Sequence, residues 1–305
     1  MVDSLSNRQI VIYFKRLAVL HLPPLLIVPL LFVTPAFSAE VVIIGDTQYK
    51  PVAEIVSQIK SSIRTRTSEY ALSEIRGKLG SIVENEGAGV VVALGKDAVN
   101  EALRLPPSIT IVYGLVIVPP QSTRPNVTGV YMSTPVSDYV AMIRKYLPKL
   151  SKLSVIGSKT MMNSLMNNVN GDVQTYQVSS SSELVDSVNR LGLTHSMLLM
   201  PDVNLLSTAV MESVYLFSFR KNIPLLGISE VNVKQGSLFA LVFDPKIVSR
   251  QIGEKVQYVL NRSKDADLQA SPPRKFNLFI NSNTARKMGI EIPEEMLRRA
   301  KKIYP

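Results

Sequence analysis

Short apolar runs in this chain end in residues able to bind a ligand. Asp46, Thr47 and Gln48 follow Val41–Gly45. Gly95 and Lys96 follow Gly89–Leu94, and Tyr113 closes the run Ile109–Tyr113 ahead of Gly114. Further along, Ser158, Lys159 and Thr160 follow Leu153–Gly157. Pro201 and Asp202 follow Met197–Met200, Ser229 and Glu230 follow Ile223–Ile228, and Asp244 follows Leu238–Phe243. These are hydroxyls, amides, a few carboxylates and one aromatic, a set suited to hydrogen-bonding a small polar ligand. A carboxylate would hold an ammonium, while hydroxyls and helix N-terminal amides would hold a carboxylate. The candidate contacts are Asp46, Thr47, Gln48, Gly95, Tyr113, Ser158, Asp202, Ser229 and Glu230. Asp46 and Asp202 stand equally where helix-capping residues stand. Gly95 also reads as a tight-turn glycine.

Other chemistry is poorly provided for. The chain has no Cys, which removes disulfides, thiol catalysis and Cys-ligated zinc. Of its two His, His21 falls in the N-terminal leader described below, leaving His195 alone between Thr194 and Ser196. A His-rich metal site cannot be built from one His. Gly87-Ala88-Gly89 precedes a strand instead of following one, so it lacks the context of a dinucleotide-binding loop. No cofactor, metal or catalytic residue is expected. The formal charge is +10, but the basic residues are scattered and not interleaved with aromatics. That reads as a solvated surface and not as a nucleic-acid site. The one dense cluster, Arg298, Arg299, Lys301 and Lys302, reads as the C-terminus of a helix whose dipole it favours.

The elements that must position these residues alternate regularly. The apolar runs are four to six residues long and do not alternate with polar residues, as in strands covered on both faces. Helix-period segments separate them, at Pro51–Ile63, Ser73–Glu84, Lys96–Leu103, Val140–Leu147, Ser182–Leu191, Ser207–Lys221 and Pro245–Asn261. The fold class is therefore α/β: two doubly wound parallel-sheet lobes joined by crossover hinges. A proline-rich break at Pro119–Thr134 marks one crossing, and the polar Ser263–Pro273 marks another. The expected division is lobe one at 39–128 plus 246–270, and lobe two at 129–245 plus 271–305. The helix near Pro245–Asn261 thus lies back on the first lobe.

Residues 1–38 read as a signal peptide. Arg8, Lys15 and Arg16 precede the apolar Leu17–Val33, and Ala36-Phe37-Ser38 supplies small residues before a cut at Ala39. The run is short for a membrane anchor and carries Pro23, Pro24 and Pro29. The expectation is a periplasmic protein, without membrane insertion after cleavage and monomeric.

A family resemblance enters at the C-terminus. Phe276-Asn277-Leu278-Phe279-Ile280-Asn281 is followed by Thr284-Ala285, then Gly289-Ile290-Glu291-Ile292-Pro293, then Leu297-Arg298-Arg299-Ala300. This resembles the closing signature of a substrate-binding protein family of ABC transporters. Asn126-Val127-Thr128-Gly129-Val130 resembles its crossover segment, and Leu147-Pro148 and Gly236 fit its pattern. The resemblance implies a type I periplasmic-binding fold: two lobes, three crossings, ligand in the cleft and closure by hinge. It also implies an ABC permease as partner, and some relatives bind aromatic or other amino acids. The chain departs from the pattern at Gly114-Leu115-Val116-Ile117-Val118-Pro119-Pro120, where an Asp-Pro turn is expected, and in a short first lobe. Ligand identity therefore does not carry over. Asn281 and Thr284 read as caps of the signature helix. Solute capture for import is the leading function; a periplasmic sensor for a membrane receptor and a two-lobed enzyme are the alternatives.

Overall fold

The computed structural model describes residues 40–166, 169–261 and 269–305. The expected signal peptide, and its cut before Ala39, lie outside the described residues.

The first sheet forms from β1 (Glu40–Gly45), α1 (Lys50–Ser62), β2 (Thr67–Ala71), α2 (Leu72–Ile75), α3 (Leu79–Glu86), β3 (Ala88–Leu94), α4 (Lys96–Ala102), β4 (Thr110–Val116) and β5 (Val127–Tyr131). Its strands are all parallel, in the order β2-β1-β3-β4-β5. Val41 to Ile44 have no exposed surface, which is why β1 reads as an unbroken apolar run. The expected single helix over Ser73–Glu84 is instead two, α2 and α3. Gly77, at φ 73°, turns the chain between them.

The second region comprises α5 (Val136–Tyr146), β6 (Leu153–Gly157), α6 (Lys159–Leu165), β7 (Val173–Gln177), α7 (Ser181–Asn189), β8 (Ser196–Leu199), α8 (Thr208–Lys221), β9 (Leu225–Leu226), α9 (Glu230–Gln235) and β10 (Phe239–Phe243). Its parallel sheet runs β7-β6-β8-β9. The Gly227–Ala240 bridge and the Gly227 N to Phe239 O hydrogen bond (2.8 Å) tie β10 to β9.

The chain then enters α10 (Pro245–Leu260), which Asp244 caps by accepting from Lys246 N at 2.9 Å. Val248, Ile252 and Val256, spaced four apart, are wholly buried on the first sheet among Val41, Ile43, Ile59, Val90 and Val92. Full burial of such aliphatic side chains stabilises by ~1.5–3 kcal/mol each. At the helix crossing, Gly253 lets α10 approach Ser62 of α1 closely.

Beyond α10, the chain returns as β11 (Phe276–Asn281), α11 (Ser282–Lys287), α12 (Glu294–Arg299) and β12 (Ala300–Tyr304). β11 pairs antiparallel with β10, and β12 pairs parallel with β11. The second region is therefore not parallel throughout, because β11 enters from the crossing side and runs away from the ends where the other strands finish. The basic C-terminal cluster also divides. Arg298 and Arg299 end α12, but Lys301 and Lys302 lie on β12 and are exposed. Charged residues on an edge strand discourage further pairing, which replaces the helix-dipole reading for these two lysines.

Candidate ligand-binding cleft

Strand order selects among the strand-end residues. In sheet one the order reverses between β1 and β3; in sheet two it reverses between β6 and β8. Ligands of open α/β sheets settle outside the carboxyl ends at such a switch point. Asp46, Thr47, Gln48 and Gly95 stand at the first switch, Ser158 and Asp202 at the second. The crossings after Tyr131 and after Phe243 also leave from strand carboxyl ends, so these ends mark the lobe junction. A cavity of about 130 Å³ lies there, lined in part by Ile117, Met132, Leu199, Pro201, Ile228 and Phe243.

The crossings are tied to their neighbours. Ser133 Oγ donates to Ile117 O at 2.6 Å, and Thr134 Oγ1 donates to Leu241 O at 2.9 Å. Tyr139, one turn into α5, donates to Gly227 O at 2.8 Å and stacks on Phe239 with ring centres 6.1 Å apart.

In lobe one, Asp46 and Thr47 are half-buried and Gln48 is exposed. Gln48 Nε2 reaches Asp46 Oδ1 at 3.5 Å. Asp46 does not cap α1, whose N-cap is Tyr49. Gly95 precedes α4 at φ 95°, a conformation that favours glycine, and a Cβ there would meet nothing within 4 Å. Its amide donates to Gly114 O at 2.9 Å.

In lobe two, Ser158 holds the N-cap position of α6 without making the capping bond. Its Oγ is buried and has no partner among the described residues. Asp202 is 9% exposed and accepts from Asn204 N at 3.0 Å. It caps that tight turn and not α8, which Ser207 caps by accepting from Val210 N at 3.4 Å.

Three candidates sit differently. Tyr113 does not end its strand: β4 continues to Val116 through an irregularity in the β4–β5 register, with Leu115 at φ 55°. Tyr113 is consequently a core residue, 1% exposed. Gly114 at this point leaves room for Ile252 of α10, whose Cδ1 would lie 2.4 Å from a Cβ. Ser229 caps α9, accepting from Asn232 N at 3.2 Å. Glu230 accepts from the Tyr304 hydroxyl and pairs with Lys234 at 3.4 Å. The Tyr304 hydrogen bond holds its pKa below the usual carboxylate range. Neither Ser229 nor Glu230 stands at a switch point.

Sequence reasoning passed over Asp138, in the first turn of α5, and Tyr131, at the end of β5. Burial raises the Asp138 carboxyl pKa, with no favourable partner offsetting it. The available signal was an acidic residue three positions after Pro135, at the first crossing. Among the described residues, no group of His, Asp and Glu forms a metal-binding cluster, and no helix is long and apolar enough to cross a membrane.

The family profile described as ABC transporter substrate binding protein matches residues 107–304. The chain belongs to this family. Its members are substrate-binding proteins of ABC transporters. Solved structures share the fold. A ligand-free, open substrate binding protein with adhesive properties from Clostridium difficile is 14% identical, with a TM-score of 0.63 over 87% of this chain and 99% of that one. A conserved domain protein from Vibrio cholerae is 17% identical, with a TM-score of 0.57 over the same shares, 87% and 99%. An ABC domain in complex with L-Trp from Streptococcus pneumoniae is 18% identical, with a TM-score of 0.54, again over 87% and 99%. The fold is thus α/β, with two lobes of the type I periplasmic-binding kind. A search of the curated proteins returns no match.

Proposed function

We propose that this substrate-binding protein is exported, captures a small polar ligand between its lobes and presents it to an ABC permease. The observation that carries the reading is that polar strand-end residues stand at both switch points, Asp46 and Thr47 in one lobe and Ser158 and Asp202 in the other. A ligand touching both lobes binds the closed form more tightly and shifts the population towards it. Lobe one is 39–131 plus 246–270 and lobe two is 132–245 plus 271–305: the expected boundary at 128 moves to Tyr131 because β5 pairs in the first sheet, to which α10 also returns. The protein acts as a monomer in the periplasm after its leader is removed.

Amino acids are the first ligands to try. A carboxylate at the cleft would take the ammonium and free hydroxyls such as Ser158 Oγ the carboxylate. The Streptococcus pneumoniae ABC domain is in complex with L-Trp, which puts tryptophan in the first panel. A thermal-shift screen against amino acids, purines and small organic acids tests the reading. A ligand that binds only the folded protein raises its Tm by RT ln(1 + [L]/Kd) in free-energy terms. A shift from one ligand class supports capture, and a flat response across all three classes argues against it.

A further inference from the structure

The cavity at the lobe junction has hydroxyls in its wall, yet none of them is free to donate. Ser133 Oγ donates to Ile117 O at 2.6 Å, Thr134 Oγ1 to Leu241 O at 2.9 Å and the Tyr139 hydroxyl to Gly227 O at 2.8 Å. A hydroxyl has one hydrogen to give, and each of these is spent. Backbone amides of the lining are spent as well. Met132 N donates to Val116 O at 2.8 Å, Ser133 N to Ile117 O at 3.2 Å, Met200 N to Ile156 O at 2.8 Å and Ile228 N to Asn232 Oδ1 at 3.1 Å. Pro201 has no N–H to offer. Among the described residues, no charged side chain lines the cavity.

What the wall presents is hydrocarbon and thioether. Ile117, Met132, Ile228 and Phe243 line the cavity and are only half-buried, so apolar surface is left for a ligand to cover. Ile117 belongs to the run Gly114–Pro120, where the chain departs from its family's pattern, and follows the irregularity at Leu115. The lining is thus a property of this chain. A cavity of about 130 Å³ is smaller than the roughly 300–1,000 Å³ that holds a whole drug-sized ligand. It fits one substituent. Ile117 comes from lobe one, Leu199 and Ile228 from lobe two and Met132 from the crossing between them, so that substituent touches both lobes. A carboxylate or amide carbonyl placed there would leave water and find no free donor among these groups, and an ammonium would find no countercharge. An alkyl group loses nothing, and apolar cavities of comparable size stay dry and take up hydrocarbon. Asp202 directly follows Pro201 of the lining, which keeps a strand end beside the cavity for the polar head of the same ligand.

We propose that this cavity is the subsite for a hydrocarbon or thioether substituent of the ligand, with Ile117, Met132 and Ile228 setting the selectivity. The ligand is then amphipathic, polar at the strand ends and apolar at the junction. This rests on the reading of the protein as a capturing protein.

Two homologous series test it: glycine, L-alanine, L-norvaline and L-norleucine, and acetate, butyrate and hexanoate. L-Glutamine and adipate are the polar counterparts of norleucine and hexanoate, and D-ribose and myo-inositol are controls. In calorimetric titration, one series should gain about fourfold in affinity per methylene, the equivalent of ~0.8 kcal/mol, until the cavity is full. The polar counterpart of its longest member should bind about tenfold more weakly or worse. Met132→Gln sets a free amide in the wall and should narrow that ratio from both sides, weakening the alkyl member and strengthening its polar counterpart. A purely structural Met132 would instead change the unliganded Tm and leave the ratio alone. Ile117→Phe fills space in the cavity and should flatten the series at its long end. A series that binds with no gradient, or a polar counterpart or sugar that binds as well as the longest alkyl member, overturns the subsite while ligand capture stands. An unchanged ratio in Met132→Gln together with an undiminished gradient in Ile117→Phe overturns it too. No Tm shift and no heat of binding with any probe counts against both the subsite and the capture reading.

Discussion

Substituting Gly253 by Ala sets two known effects against each other at the contact that returns α10 to the first sheet. In an exposed helix interior, Gly→Ala stabilises by about 1 kcal/mol. At this position the new Cβ would lie 1.8 Å from Ser62 Oγ and 2.9 Å from Ser62 Cβ. Overpacking of that kind costs roughly 1–3 kcal/mol. Ser62 cannot swing aside freely, because its Oγ donates to Ile59 O at 2.7 Å. Breaking that bond adds about 0.5–1.5 kcal/mol. The steric terms exceed the propensity term, and Gly253→Ala should destabilise by about 2 kcal/mol. Urea unfolding followed by circular dichroism measures this directly. Ser62→Gly removes both offending atoms, so the double variant should recover most of the loss, with a coupling energy of about 1.5–3 kcal/mol. A Gly253→Ala protein that is about 1 kcal/mol more stable than wild type, with no coupling to Ser62, would refute the packing of α10 on α1.

Asp138→Asn should raise the Tm of the unliganded protein at pH 7. Burial raises the Asp138 pKa, so the folded protein binds this proton more tightly than the unfolded chain, and the ionised group opposes folding above that pKa. The gain should vanish below about pH 4, where the unfolded carboxyl is also protonated, and a pH series of melts checks it. Ser229→Ala removes the α9 cap and should cost about 1 kcal/mol of stability with ligand affinity unchanged. Asn281 accepts from Thr284 N at 2.8 Å and donates to Val233 O at 2.7 Å while 5% exposed, so Asn281→Ala should cost about 2–3 kcal/mol, read by urea unfolding, again without loss of affinity. Calorimetry on Asp202→Ala separates cleft contact from turn capping: contact lowers affinity, whereas a lowered Tm at full affinity leaves only the turn.

The fold was legible because strands buried on both faces announce themselves as unbroken apolar runs, as Val41–Ile44 and Val90–Leu94 do. The return of α10 could be argued from the polar linker that follows it. What escaped was governed by local backbone geometry. The positive φ of Gly77 splits one helical pattern into two helices, and the irregularity at Gly114-Leu115 carries β4 past Tyr113. The latter moved Tyr113 from a strand end into the core. Short elements such as β9, two residues long, carry too little pattern to read.

At the candidate site, position after a strand is an incomplete criterion. It collects every strand end alike, and only the sheet order shows that β1, β3, β6 and β8 flank the switch points. Ser229 and Glu230 satisfied the criterion, yet one caps α9 and the other is held by Tyr304 and Lys234. Asp138 lies in a helix after a crossing, where only tertiary structure shows that its carboxyl is partly desolvated.

The absence of native Cys makes closure directly measurable. Gln48 and Val203 are exposed, one beside each switch point, so Gln48→Cys with Val203→Cys gives a protein with two thiols and no others. Spin labels on these thiols report the interlobe distance by pulsed dipolar spectroscopy, with and without a ligand found in the thermal screen. Capture between the lobes predicts a shorter distance at saturating ligand and an unchanged distance with a non-binding analogue. A distance that stays the same while calorimetry shows the ligand fully bound would contradict it.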